Sequence, residues 1–143
     1  MYQGKKACEI TGWKGIDRGK RNIRVLVVDD DDGLREMLSK VLCFMGYEAV
    51  QAHSGSEALN IFLEGPFSLV MTDLQMPGMD GWSLASRIKE RSPEIPILLM
   101  TAHARHHIMK ELKGSSIDSA LFKPFSLEEL RREVNKALEG RSQ

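Results

Sequence analysis

The chain predicts an α/β architecture: five strands alternating with five helices, which gives a parallel sheet covered on both faces. Short, continuously apolar runs alternate with stretches of helical period. Four of those runs also end in a chemically useful residue. Val25–Val28 runs into Asp29-Asp30, Leu69–Met71 into Thr72-Asp73, Ile97–Met100 into Thr101, and Ala120–Phe122 into Lys123. In an open α/β sheet the carboxyl ends of parallel strands lie along one edge, where such folds bind ligands. Three carboxylates, a hydroxyl and an ammonium would therefore share one crevice.

The elements follow in order. After the Val25 strand, Leu34, Met37, Leu38, Val41, Leu42 and Met45 recur at helical spacing and Gly46 stops that helix. Glu48–Ala52 reads as the second strand, and Ser54-Gly-Ser-Glu57 is a capping box opening a helix that runs to Leu63. Beyond the Leu69 strand, Asp80 can cap a third helix through Arg91. A fourth helix is expected between Arg105 and Lys113, with a narrow apolar face of Ile108, Met109 and Leu112. Ser126-Leu-Glu-Glu129 is a second capping box, opening a last helix that places Leu127, Leu130, Val134, Ala137 and Leu138 inward. That helix should finish near Leu138, with no output domain after it.

At 143 residues and 42% hydrophobic, the chain can form a core without disulfide or metal staples. Its formal charge is zero, but residues 1–24 carry seven Lys/Arg against two acids and the remainder thirteen against eighteen. We read 1–22 as a basic, mobile N-terminal extension with Trp13 or Ile16 as a tether, 23–139 as the folded domain, and 140–143 as a C-terminal tail. The acidic domain is not expected to bind nucleic acid directly. Cys8 and Cys43 form no CxxC pattern, which gives little support to paired thiols or zinc and suits a reducing cytosol. No apolar run approaches the roughly 18 residues of a membrane span, and no signal peptide is visible. A cytoplasmic protein without membrane contact is the expectation.

Val27-Val-Asp-Asp-Asp31, Met71-Thr-Asp-Leu-Gln-Met-Pro-Gly-Met-Asp-Gly81, Thr101-Ala102 and Lys123-Pro-Phe125 together resemble the receiver domain of two-component response regulators. The likeness covers roughly residues 23–139. It implies a doubly wound, flavodoxin-like (βα)5 sheet. It further implies Asp73 as phosphoacceptor and metal ligand, Asp30 as a direct Mg²⁺ ligand, Asp29 as a ligand through water, and Gln75 as a main-chain carbonyl ligand. Lys123, the Thr101 hydroxyl and the Ala102 backbone N–H would each take a phosphoryl oxygen. The donor would be the phosphohistidine of a sensor histidine kinase or a histidine phosphotransfer protein, and the output altered binding of a downstream protein. Such a domain promotes only its own phosphorylation and dephosphorylation and turns over no external substrate. The resemblance also implies a cis Lys123-Pro124 bond, an isomer tolerated mainly at proline.

The residue types suit that chemistry on physical grounds. An aspartate attacking a phosphoryl group forms an acyl phosphate, and like charge on nucleophile and donor opposes attack unless a cation is present. Hard Mg²⁺ takes oxygen ligands and keeps several waters, so a few carboxylates and a carbonyl suffice. Asp31 and Asp32 read as a solvated turn or cap, with Asp32 a candidate N-cap before Gly33. His103 and His107, four apart, could share a helix face as metal ligands but read as solvated histidines at a helix start. His103 and Gln75 each lie two positions after a site residue, where receiver side chains border the phosphoryl group.

Two departures from the receiver pattern stand out. The aromatic usual three residues before the lysine is Ala120 here, and Gly114-Ser-Ser-Ile-Asp118 replaces the usual Gly-Ala pair before the fifth strand. A threonine-to-aromatic coupling cannot operate as usual, so any switch must use other packing around the fourth helix and fifth strand. The competing readings are a small haloacid-dehalogenase-like Mg²⁺-dependent phosphatase, from the Asp-x-Asp-Gly echo at Asp30–Gly33, and an interaction module that is never phosphorylated.

Overall fold

The computed structural model describes residues 23–141, so the readings made of residues 1–22 and of the last two residues lie outside the described residues. Strands β1 (Arg24–Val28), β2 (Glu48–Ala52), β3 (Leu69–Asp73), β4 (Ile97–Thr101) and β5 (Ser119–Phe122) alternate with helices α1 (Asp32–Phe44), α2 (Gly55–Phe62), α3 (Gly81–Arg91), α4 (Arg105–Leu112) and α5 (Leu127–Arg141). They form one five-stranded sheet in the order β2-β1-β3-β4-β5, parallel at every pairing.

The strands are apolar on both sides because each face has its own core. Leu26, Val28, Val70, Ile97 and Leu99 point into one cluster with Ala58, Ile61, Leu84, Ile88 and Ile108, from α2, α3 and α4. Val25, Val27, Leu69, Met71, Leu98, Met100 and Leu121 point into the other with Leu38, Leu42, Leu130 and Val134, from α1 and α5. The two-residue period of a strand sorts alternate residues between these clusters.

Local signals set the helix ends. Asp31, not Asp32, caps α1: its Oδ1 accepts the Leu34 N–H at 3.2 Å. The cap side chain must reach the third helical N–H, and only Asp31 stands at that distance before Leu34. Gly46 closes α1 at φ 94°. Its N–H reaches Cys43 O at 2.9 Å and the Tyr47 N–H reaches Leu42 O at 3.0 Å, the paired bonds that need a left-handed residue there. Ser54 caps α2 as expected, but Glu57 turns back to the His53 N–H at 2.7 Å rather than to Ser54. Ser126 and Glu129 bond reciprocally, both at 3.0 Å, before α5. That helix continues to Arg141 rather than ending near Leu138; no proline interrupts it, and one glycine lowers helix propensity by only about 1 kcal/mol. Cys43 is buried on α1 and is not a free thiol, which corrects the expectation of unpaired cysteines. Cys8 lies outside the described residues.

Candidate acidic phosphoacceptor site

The order of strands reverses beside β1, which lies between β2 and β3, and that reversal places a crevice at the carboxyl ends of β1 and β3. The strand phases choose what enters it. Asp29 continues the phase of Val25 and Val27, Asp73 that of Leu69 and Met71, and Lys123 that of Leu121, all on the α1/α5 side. Thr101 continues the phase of Ile97 and Leu99, on the opposite side. It therefore borders the crevice from across the sheet edge.

Carboxylate oxygens of Asp29, Asp30 and Asp73 lie within 4.8 Å of one another. Asp29 is fully buried and Asp30 exposed. The Lys123 ammonium sits between two of the acids, 3.4 Å from Asp29 Oδ2 and 3.3 Å from Asp73 Oδ1. Backbone amides hold the same carboxylates: Asp31 N–H donates to Asp29 Oδ1 at 2.9 Å, and Leu74 N–H to Asp73 Oδ1 at 2.9 Å. Burial pushes the Asp73 carboxyl above its ordinary value; the Lys123 ammonium pulls against that shift, and the Asp29 carboxylate adds to it. Three carboxylates facing one ammonium form a hard-oxygen, electron-rich donor set that suits Mg²⁺.

Thr101 is buried at the end of β4, its Oγ1 accepting the His103 N–H at 3.0 Å. The Lys123 N–H donates to Thr101 O at 2.7 Å, which ties β5 to β4 at the rim. The Lys123-Pro124 bond is cis. Gln75 and Ala102 are exposed in the loops after β3 and β4. The two histidines do not form a pair of ligands: α4 starts at Arg105, leaving His103 in the loop, and the His107 ring stacks on His106 with centroids 5.0 Å apart. Among the described residues the three aspartates are the one cluster of three or more such groups.

The motif after Asp73 has a steric reason. A Cβ on Gly81 would stand 2.5 Å from Asp73 O and 3.1 Å from Leu74 Cα, so only glycine lets α3 begin against the Asp73 backbone. Three contributors escaped the reading of the sequence. Thr72 Oγ1 donates to Asp73 O at 2.9 Å. Arg35 on α1 reaches the Asp29 carbonyl, and buried Gln51 on β2 accepts from Arg35. A polar Gln51 inside the run Ala49-Val-Gln-Ala52 was the available signal, since a buried amide requires a partner.

A family model described as the response regulator receiver domain matches residues 25–135. Sporulation initiation phosphotransferase F of Bacillus subtilis (strain 168) is 35% identical over 117 residues, 82% of this chain and 94% of that protein. Regulatory protein AtoC of Escherichia coli (strain K12) is 34% identical over 119 residues, but the match spans only 26% of its length. Among solved structures, Vibrio cholerae chemotaxis protein CheY4 superposes with a TM-score of 0.77 at 31% identity, covering 81% of this chain and 98% of that one. The response regulator protein TrrA from Thermotoga maritima, in complex with Mg(2+)-BeF, gives 0.74 at 37% identity, covering 81% and 99%.

Proposed function

This chain belongs to the response regulator receiver domain family, and from that premise we propose that it accepts a phosphoryl group from a phosphohistidine donor onto Asp73. The observation that carries this is the position of Asp73 at the end of β3, with Lys123 Nζ 3.3 Å away and two further acids in reach of the same oxygens. Lys123 and the Leu74 N–H both engage Asp73 Oδ1, which leaves Oδ2 to attack phosphorus. As the new P–O bond forms, the P–N bond of the donor breaks. Its electron pair stays on the imidazole nitrogen, which takes a proton from solvent, and the product is an acyl phosphate.

Asp29, Asp30, Asp73 and the Gln75 main-chain carbonyl would hold Mg²⁺. When bound, the ion supplies the positive charge that offsets repulsion between carboxylate nucleophile and phosphoryl oxygens. Lys123 then holds one phosphoryl oxygen and the Ala102 N–H another. The Thr101 hydroxyl, which already accepts from His103 N, keeps its own proton to donate to the third. A sensor histidine kinase or phosphotransfer protein would be the donor, and a downstream protein would read the phosphorylated surface. The phosphatase reading is not supported: the receiver-domain family spans residues 25–135 of this chain, and Asp32, second acid of the Asp-x-Asp-Gly echo, is an exposed partner of Arg35 at 2.7 Å.

The test is mass spectrometry after incubation with acetyl phosphate and Mg²⁺. One phosphoryl adduct per chain is expected, absent from Asp73→Asn, whose circular dichroism should match wild type. Undiminished labelling of the Asn variant would sink the assignment, and sustained multiple turnover of the donor would favour a phosphatase.

A further inference from the structure

We propose that Arg35 is a positioning residue for the metal-binding acids, setting the peptide that joins Asp29 to Asp30. The proposal rests on the Mg²⁺ reading above. β1 ends at Val28, so the ladder supplies no partner for the buried Asp29 carbonyl, and a buried carbonyl without a partner is costly. Arg35 Nη1 donates to that oxygen at 2.7 Å, the short distance of a charge-assisted bond. The Asp29 N–H is held by Ala52 O at 3.2 Å.

The guanidinium is itself fixed at two further points. Nε donates to Gln51 Oε1 at 3.0 Å, and Nη2 to Asp32 Oδ1 at 2.7 Å. One planar group thus ties the β1–α1 loop to the neighbouring strand and to the first turn of α1, a use of three donors in a rigid fork that lysine cannot copy. Because the peptide unit is planar, fixing the Asp29 carbonyl fixes the plane from which Asp30 departs. Asp30 is exposed, and the clamp sets its approach to Asp73 before any ion arrives. The Arg35 charge also stands beside a loop of four consecutive acids, Asp29 to Asp32.

The experiment is isothermal titration of the full 143-residue chain and its variants with Mg²⁺ alone. Arg35→Met keeps the apolar stem and should raise Kd about tenfold or more, the usual effect of removing an outer support of a metal ligand. Arg35→Lys, with a single donor nitrogen, should fall between Met and wild type. Gln51→Leu removes an anchor but leaves the Asp29 carbonyl bond, and should lower thermal stability while keeping Kd within about twofold. A wild-type Kd in either folded Arg35 variant overturns the proposal. So does a Gln51→Leu loss equal to that of Arg35→Met, which would mean general loosening. If the wild type takes up no Mg²⁺, the metal reading itself fails and the proposal with it, a result distinct from normal binding by an Arg35 variant.

Discussion

At the scale of single residues, Asp73 carries two opposed demands. Burial raises its carboxyl above the ordinary 3.8, with Lys123 opposing and Asp29 reinforcing the shift. The folded state therefore holds the Asp73 proton more tightly than the unfolded chain does. Between 3.8 and the raised value the native state binds more protons, so stability falls as pH rises through that window. Above it, ionised Asp73 costs stability in the metal-free protein. Asp73→Asn should then be more resistant to urea than wild type at pH 7 with chelator present, and the gain should fade as pH falls from the raised value toward 3.8 and be absent below it. Mg²⁺ should reverse the order by stabilising wild type, by about 2.7 kcal/mol at a hundredfold excess over Kd. Equal unfolding midpoints for the two proteins at pH 7 would show that the shift has no energetic weight. The acids, Thr101 and Lys123 could be read from strand-end positions because each ends an apolar run. Arg35, Gln51 and Thr72 could not, because their roles are hydrogen bonds to main chain or to one another across elements.

Among the elements, the start of α3 is the most tightly built. Gly81 N–H donates to Leu74 O at 2.8 Å, and Asp80 Oδ1 caps Ser83 N–H at 2.9 Å. A methyl on Gly81 would meet backbone rather than a yielding side chain. Gly81→Ala should cost about 1–3 kcal/mol, in the range of overpacked sites, and should slow phosphorylation because relief requires Asp73 or α3 to move. Urea unfolding and adduct formation in acetyl phosphate check both; wild-type values in each would show that the helix shifts freely. Caps and glycine stops were visible in the sequence because they involve residues three or four apart. Their errors, Asp32 for Asp31 and Leu138 for Arg141, are of one to three residues. The weakness of α4 was also visible. Its N-cap, Ala104, makes no side-chain bond and Ile108 is its one buried residue.

For the molecule as a whole, the path from the acidic site to a binding face runs past β5 and the start of α4. Ala120 and Phe122 line the α2–α4 side of β5, and Arg105 at the start of α4 stacks over Phe122 with its guanidinium carbon 4.4 Å from the ring centre. A methyl group at 120 offers no ring to change position if phosphorylation draws Thr101 inward, so discrete two-state packing should be reduced there. Beryllofluoride with Mg²⁺ should shift amide NMR signals around Asp73 and Thr101 strongly and those across α4, β5 and α5 weakly. Ala120→Tyr should enlarge the second set. Large shifts over that face in the wild type would show that Arg105 and Phe122 suffice. No helix among the described residues is long and apolar enough to cross a membrane.

The amino-acid sequence by itself determined the alternation of strands and helices, most of their ends to within a few residues, and which side chains stand at strand ends. These follow from periods of two and 3.6 residues and from bonds between near neighbours. Tertiary structure alone decided the order β2-β1-β3-β4-β5 and everything that depends on it. Lys123 meets Asp29 and Asp73 across 94 and 50 positions of chain. Gly81 lies against the Asp73 backbone, and Arg35 bonds both the Asp29 carbonyl and Gln51 of the adjacent strand. Such contacts are set by the packing of elements around the sheet, and no local period encodes them.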